Sequence, residues 1–324
     1  MRKFALILAV LSMAGCSASG DSNEDAFPER PIEIVAPASP GGGWDMQARS
    51  VQQSIIQDDQ TDENVTVVNQ PGGGGEVGWQ YLLQQDDPHV VSVNSSLLLT
   101  SSLLGQTDLH HEDFTQLGML STEWLGIATH ADAGFENIDE VMDQLREDPE
   151  SLSISVSPSL GSGNHLSFVQ TALEAGIDPE DLNFLVYDSG GDAMNPVLGG
   201  HVDILVNSIS DMVEQYEADE VDILAVSSPE RLEEFQDVPT LQEEGIDVVF
   251  PHWRGIMGPP DMTEAEVDAW EEILSSAVET EQFQTDLENN DLDPLYRNTE
   301  ETEEFLEEEE EFFEEIIESV ELAP

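Results

Sequence analysis

The segment from Ile32 to Arg49 constrains the fold more than any other part of the chain. Ile32, Ile34 and Val35 make a short β-branched run that reads as a buried strand. The run stops at Pro37, passes through Gly41, Gly42 and Gly43, and gives way to a helical pattern with Met46, Val51 and Ile55 on one side. A helix that begins this way leaves its first amides unpaired at the positive end of its dipole. An anion is the guest that such a turn suits.

The alternation continues along the chain. Residues 65–69, 90–93, 124–129, 152–156, 182–186, 202–206 and 221–226 read as strands, and 97–104 is an apolar segment. Helical patterns fall at 44–57, 76–85, 164–175, 192–198 and 209–217. Strands and helices in this order predict an α/β fold with parallel, doubly wound sheets. Its length suits two domains, each with its own core. No Ser/Pro-rich linker separates them, so strands are expected to cross between the domains, near 126–128 and near 251–255.

The N-terminus carries its own signal. Arg2 and Lys3 precede an apolar run over 4–10, and Met13-Ala14-Gly15 leads to Cys16, the single cysteine. The run is too short to span a bilayer, which takes about 20 residues. The pattern predicts a lipoprotein leader at 1–15, lipidation of Cys16 and a disordered tether at 16–27. The remaining division is then 28–126 for the first part of domain one and 127–253 for domain two. The chain returns to domain one over 254–324, with helices at 263–278 and 299–320. In the last helix Phe305, Phe312 and Ile316 fall at helical spacing, and glutamates cover the opposite face.

Charge excludes several functions. The chain has 8 basic and 70 acidic residues, and Lys3 is its only lysine. Removal of the leader therefore leaves no lysine for a phosphate-binding loop, a Schiff base or a pyridoxal site. A basic face for nucleic acid is missing as well. The acidic excess is spread over the chain, which suits solvation in a saline exterior, where the screening length falls to about 3 Å at 1 M salt. His110-His111-Glu112-Asp113 sit side by side in a polar loop and do not converge on a metal; neither metal nor cofactor is expected.

Open α/β sheets bind ligands beyond the carboxyl ends of their strands. The loops there supply Gly41, Gly42, Gly43, Trp44 and Asp45; Asn94 and Ser95; Ser159, Ser162, Gly163, Asn164 and His165; Ser189 and Gly190; and Asn207. Arg254 is the cation best placed to grip a carboxylate, because it follows Trp253 at a domain crossing. Among the other arginines, Arg49 has Asp45 four residues before it, and Arg146 and Arg231 are expected in acidic, exposed helices. Trp44, Tyr187 and Trp253 could stack over a ligand or pack in a core.

Several motifs occur in a fixed order: Pro40-Gly-Gly-Gly-x-Asp45, Pro71-Gly-Gly-x-Gly-x-x-Gly78, Gly161-Ser-Gly-x-His165, Gly190-Gly191, Gly199-Gly-His-Val-Asp203, Val238-Pro-Thr240 and Trp253-Arg-Gly255. Together they resemble the extracytoplasmic receptors of tripartite tricarboxylate transporters. The resemblance runs from Pro31 to the C-terminal helix, and Trp253-Arg254-Gly255-Ile256 and Val186–Gly191 look closest to the citrate-binding branch. It implies a type II periplasmic-binding clamp, two doubly wound domains joined by crossing strands. Such a protein is no enzyme. It captures a small di- or tricarboxylate, works as a monomer anchored to the membrane by its lipid, and delivers the ligand to transmembrane permease subunits. The same clamp would also serve a sensor that presents ligand to a membrane kinase or chemoreceptor. An extracellular hydrolase fits less well, since Gly-x-Ser-x-Gly is absent.

Overall fold

Strand β1 (Ile32–Ala36) is the organising strand of the first half, in this computed structural model as in the sequence pattern. The structure describes residues 27–319 apart from 59, 188 and 291; the leader, Cys16 and the tether up to 26 lie outside the described residues. Helix α1 (Gly43–Gln57), β2 (Val65–Asn69), α2 (Glu76–Leu83), β3 (Val90–Ser95) and α3 (Ser96–Leu103) follow. β1 pairs in parallel with β2 on one side and with β3 on the other.

The 16-residue β4 (Thr115–His130) then runs through the middle of the molecule. Beyond it come α4 (Ile138–Glu147), β5 (Ser153–Val156), α5 (Gly163–Glu174), β6 (Asn183–Val186), α6 (Gly190–Leu198), β7 (Ile204–Ser208), α7 (Val213–Glu217) and β8 (Val221–Val226). β5 pairs in parallel with both β6 and β7. The chain returns through β9 (Pro251–Gly258), α8 (Glu264–Glu279), α9 (Glu281–Asn289), β10 (Asp293–Arg297) and α10 (Thr299–Ser319).

Two strands join the halves. Thr115 to Trp124 of β4 pairs antiparallel with β9, whereas Leu125 to His130 pairs with β7 and β8. β9 in turn lies between β4 and β3, giving the order β2-β1-β3-β9-β4-β7-β5-β6, with β8 and β10 also on β4. The doubly wound α/β arrangement is therefore present in both halves, and the strands that pass between them are antiparallel insertions. Residues 97–104, read only as apolar, start as α3 under the cap of Ser95, whose hydroxyl accepts from the Leu97 amide. The helix expected over 209–217 is broken into a 3-10 turn (Ile209–Asp211) and the short α7. The helix expected around Arg146 is α4, where Ile138, Val141, Met142 and Leu145 make an apolar stripe and Asn137 caps it. Arg231, by contrast, lies outside any helix, just before the 3-10 turn Glu233–Phe235.

The first core packs Ile32, Ile34 and Val93 of the sheet against Val51 and Ile55 of α1, Trp270 of α8 and Phe283 of α9. The second core joins Ile154, Val156 and Val206 to Phe168 of α5 and Met142 of α4. Phe305, Leu306, Phe313, Ile316 and Ile317 of α10 belong to that second cluster. No described helix is long and apolar enough to cross a membrane.

Candidate ligand-binding site

Four helices begin at one cavity of about 210 Å³ between the two halves. Its wall contains Gly43 and Trp44 of α1, Ser96 and Leu97 of α3, Gly163 and Asn164 of α5, and Gly190 of α6. Each start follows a strand whose carboxyl end points at the cavity, so the convergence is a product of the parallel pairing. Four positive dipole ends meet here, each worth roughly 0.3–1 kcal/mol to a nearby anion.

Arg254 of β9 supplies the one guanidinium in this wall, and it is buried. Its Nη2 donates to Oε1 of the buried Glu123 on β4, while its Nη1 has no hydrogen-bond partner among the described residues. The guanidinium rests against the start of α1, where a Cβ on Gly43 would lie 2.6 Å from Nη2. A larger residue at that position would push the guanidinium out of its present place.

Two more buried polar atoms in the wall lack partners among the described residues, Asn164 Oδ1 and His252 Nδ1, while Asn207 Nδ2 is turned to the Asp211 carboxylate. Orphaned buried polar atoms are costly, and a cluster of them marks a place where a polar guest completes the hydrogen bonding. His252 lies with its Nδ1 3.6 Å from Glu123 Oε1. Burial holds its pKa below the usual histidine value; the Glu123 charge opposes that shift and Arg254 assists it, so the ring is neutral near pH 7. Asp211, which follows β7, also faces the cavity. Its side chain is open to the cleft, yet the surrounding protein and the Glu123 carboxylate raise its pKa, against the pull of Asn207 and Arg254.

Residues 48–322 match the tripartite tricarboxylate transporter family receptor. The chain belongs to this family. It is 27% identical over 283 residues to a protein encoded in the tcbD-tcbE intergenic region of a Pseudomonas strain, covering 84% of this chain and 81% of that one. A TctC solute binding protein from Polaromonas superposes with a TM-score of 0.76 at 24% identity, over 90% of this chain and 99% of that one. An R. palustris protein with adipate superposes at 0.78 and 19% identity, over 92% and 99%. The family and these folds are those of extracytoplasmic solute-binding receptors built as two-domain clamps, not of enzymes.

The receptor brings together nine of the residues singled out from sequence: Gly43, Trp44, Ser95, Ser162, Gly163, Asn164, Gly190, Asn207 and Arg254 all line the cavity. Others serve its frame. Asp45 does not reach the cavity. It accepts from the Gly41 amide at 2.8 Å, from Arg49 Nε at 2.9 Å and from Asn69 Nδ2 at 2.8 Å, which consumes its oxygens and locks the turn. Gly41, with φ of 86°, and Gly42, the residue before α1, shape that turn without lining the cavity. Asn94 donates to Gln116. Ser189 caps α6 by accepting from the Asp192 amide. Ser159 faces a neighbouring cavity with Gly73 and Gly74.

His165 is structural as well. Its Nδ1 accepts from the Gly161 amide at 3.0 Å, its ring meets Phe184 edge-on, and burial lowers its pKa to about 4. Trp253 points away from the ligand side, into the α10 cluster, where its Nε1 donates to Glu309. Tyr187 packs against the cluster under α6. Only Trp44 of the three aromatics lines the cavity, propped by Trp79 at 5.5 Å. Ser96, Ser157 and Ser208, which lie in the polar loops read at the strand ends, also line the cavity, whereas sequence reasoning missed Asp211, His252 and the role of Glu123. For Asp211 and Glu123 no signal was available, because two acids among 70 carry no mark until the fold sets them beside Arg254.

Proposed function

We propose that the receptor captures a small di- or tricarboxylate of the citrate kind in this cavity and hands it to the permease subunits of a tripartite transporter. The observation that carries the reading is the unpartnered, buried Nη1 of Arg254 set among four converging helix starts. One carboxylate is held at Arg254 Nη1, with the amides of the α1, α5 and α6 starts around it. The adipate held by the structurally similar R. palustris protein supports a dicarboxylate as the class.

In this reading 28–126 with 254–324, and 127–253, act as two bodies that close over the ligand by bending at β4 and β9. Cys16 carries the lipid that keeps the receptor at the outer face of the membrane, and the acidic surface keeps it solvated in a saline medium. It acts as a monomer.

Titration calorimetry at high salt tests the proposal, with citrate, malate, succinate and adipate run against wild type and Arg254→Ala. Saturable binding of one acid, weakened at least about tenfold by the substitution (about 1.4 kcal/mol), is the expected result. Undiminished binding in the variant would move recognition to the helix starts. A folded wild-type protein that binds no carboxylate would remove the reading.

A further inference from the structure

The cavity wall is not uniformly a donor surface. Asp211 brings a carboxylate to it, and the buried Asn164 Oδ1 is an acceptor with no partner among the described residues. Asn164 Nδ2 is engaged by Ser157 O at 3.1 Å and Asn207 Oδ1 at 3.3 Å, which fixes the amide with its oxygen as the free atom. Acceptor and donor stand side by side. Gly190 is bare backbone beneath both side chains: a Cβ there would collide with Asp211 Oδ2 and lie 2.7 Å from Asn207 Nδ2, so the glycine is what lets the carboxylate and the amide approach each other at the wall.

Charge points the same way. Arg254 is already paired with Glu123, and Asp211 adds a further acid to the wall. A ligand made only of carboxylates would leave Asn164 Oδ1 orphaned and set its own oxygens against Asp211. A ligand with a hydrogen-bond donor next to a carboxylate satisfies both halves of the wall.

Resting on the carboxylate reading above, we propose that Asp211 and Asn164 form a donor-recognising subsite that selects acids bearing a hydroxyl or ammonium group beside the carboxylate. Sites built to bond a substrate donor reject the analogue that lacks it, because buried acceptors are then left unpaired.

The test uses acids that differ only in that group: malate and aspartate against succinate, and citrate against tricarballylate. Calorimetry on wild type and Asp211→Ala reads the ratio of affinities. Asp211 is open to the cleft, so its truncation spares the core. The expected result is at least tenfold preference for the donor-bearing member of one pair, falling at least about fivefold in Asp211→Ala while the donorless member binds no worse. Preference for aspartate over malate would identify the donor as ammonium, and the reverse as hydroxyl. Equal binding of both members in wild type overturns the subsite and leaves carboxylate capture standing. An equal loss of both members in Asp211→Ala overturns the role of Asp211. Failure of every acid to bind wild type would overturn the underlying reading as well.

Discussion

Two arginine–carboxylate pairs flank the start of α1, and they do opposite things. Behind it, Arg49 holds Asp45 four residues earlier, and Asp45 is also bound by Gly41 and Asn69. Arg49 is 43% exposed there, and its Nε and Nη2 are spent on Asp45 and Asn69. In front of it, Arg254 and Glu123 are both buried, yet Nη1 of the arginine is left over. The first pair builds the loop and the second sits at the cavity. An arginine next to an acid is therefore no guide to function; what matters is whether the fold leaves a buried donor unspent.

Removing each member should separate the two roles. Arg254→Ala leaves Glu123 buried without its cation, and should cost about 3–5 kcal/mol in denaturant unfolding. Adding Glu123→Gln to it should return part of that loss. If the single variant unfolds like wild type, the front pair is no more than the surface contact behind α1.

A third carboxylate sharpens the contrast because it lacks an arginine contact of that kind. Glu309 of α10 accepts from Trp253 Nε1 at 3.2 Å, and burial raises its pKa to about 7, against the pull of Trp253 and Arg297 and with help from Glu308. A carboxyl with a raised folded pKa keeps its proton while the unfolded chain loses it. Stability should then fall as pH rises from about 4.5 through about 7, by up to about 3 kcal/mol. Glu309→Gln should flatten that decline. Asp45 has the opposite sign. Burial works against its charge but is outweighed by Arg49, Gly41 and Asn69, so its pKa is lowered. Its contribution is present above the ordinary carboxylate range and lost as pH falls through the lowered value. Unfolding curves between pH 2 and 8 would resolve both.

Gly43→Ala tests the contact between α1 and the front pair. A Cβ there overlaps the Arg254 guanidinium, so carboxylate affinity should drop about tenfold or more, or about 1.4 kcal/mol. At Gly41 the same methyl meets nothing within 4 Å, and only the φ of 86° is strained, for about 1–2 kcal/mol of stability with ligand affinity retained. The smallest effect is expected for Arg49→Ala. Asp45 keeps two other donors, and an i,i+4 pair with an exposed partner is worth under about 1 kcal/mol. A large binding defect there would erase the distinction between the two sides.

Much of the frame was legible beforehand. The bounds of β1, β2 and β8 coincide with the runs of β-branched residues that announce them, because period and composition act over a few neighbouring residues. Gly43, Gly163 and Gly190 were singled out because a strand-to-helix turn with glycine has a local signature. Asp45 and His165 were singled out by the same logic and proved to serve the turn, since a polar residue in a first helical turn can face inward or outward. Glu123, Asp211 and His252 carried no signal at all.

The sequence by itself determined the α/β alternation, the glycine turns, the scarcity of cations and hence the weight that falls on Arg254. Local backbone preference and charge count are properties of the chain, readable without a fold. Only the tertiary structure decided which turns share a cavity, which oxygens the arginine meets and which donor it keeps. That follows from β4 and β9 passing between the halves, which sets residues more than a hundred positions apart side by side. Such a contact is produced by strand order, and strand order leaves no trace in any short stretch of sequence.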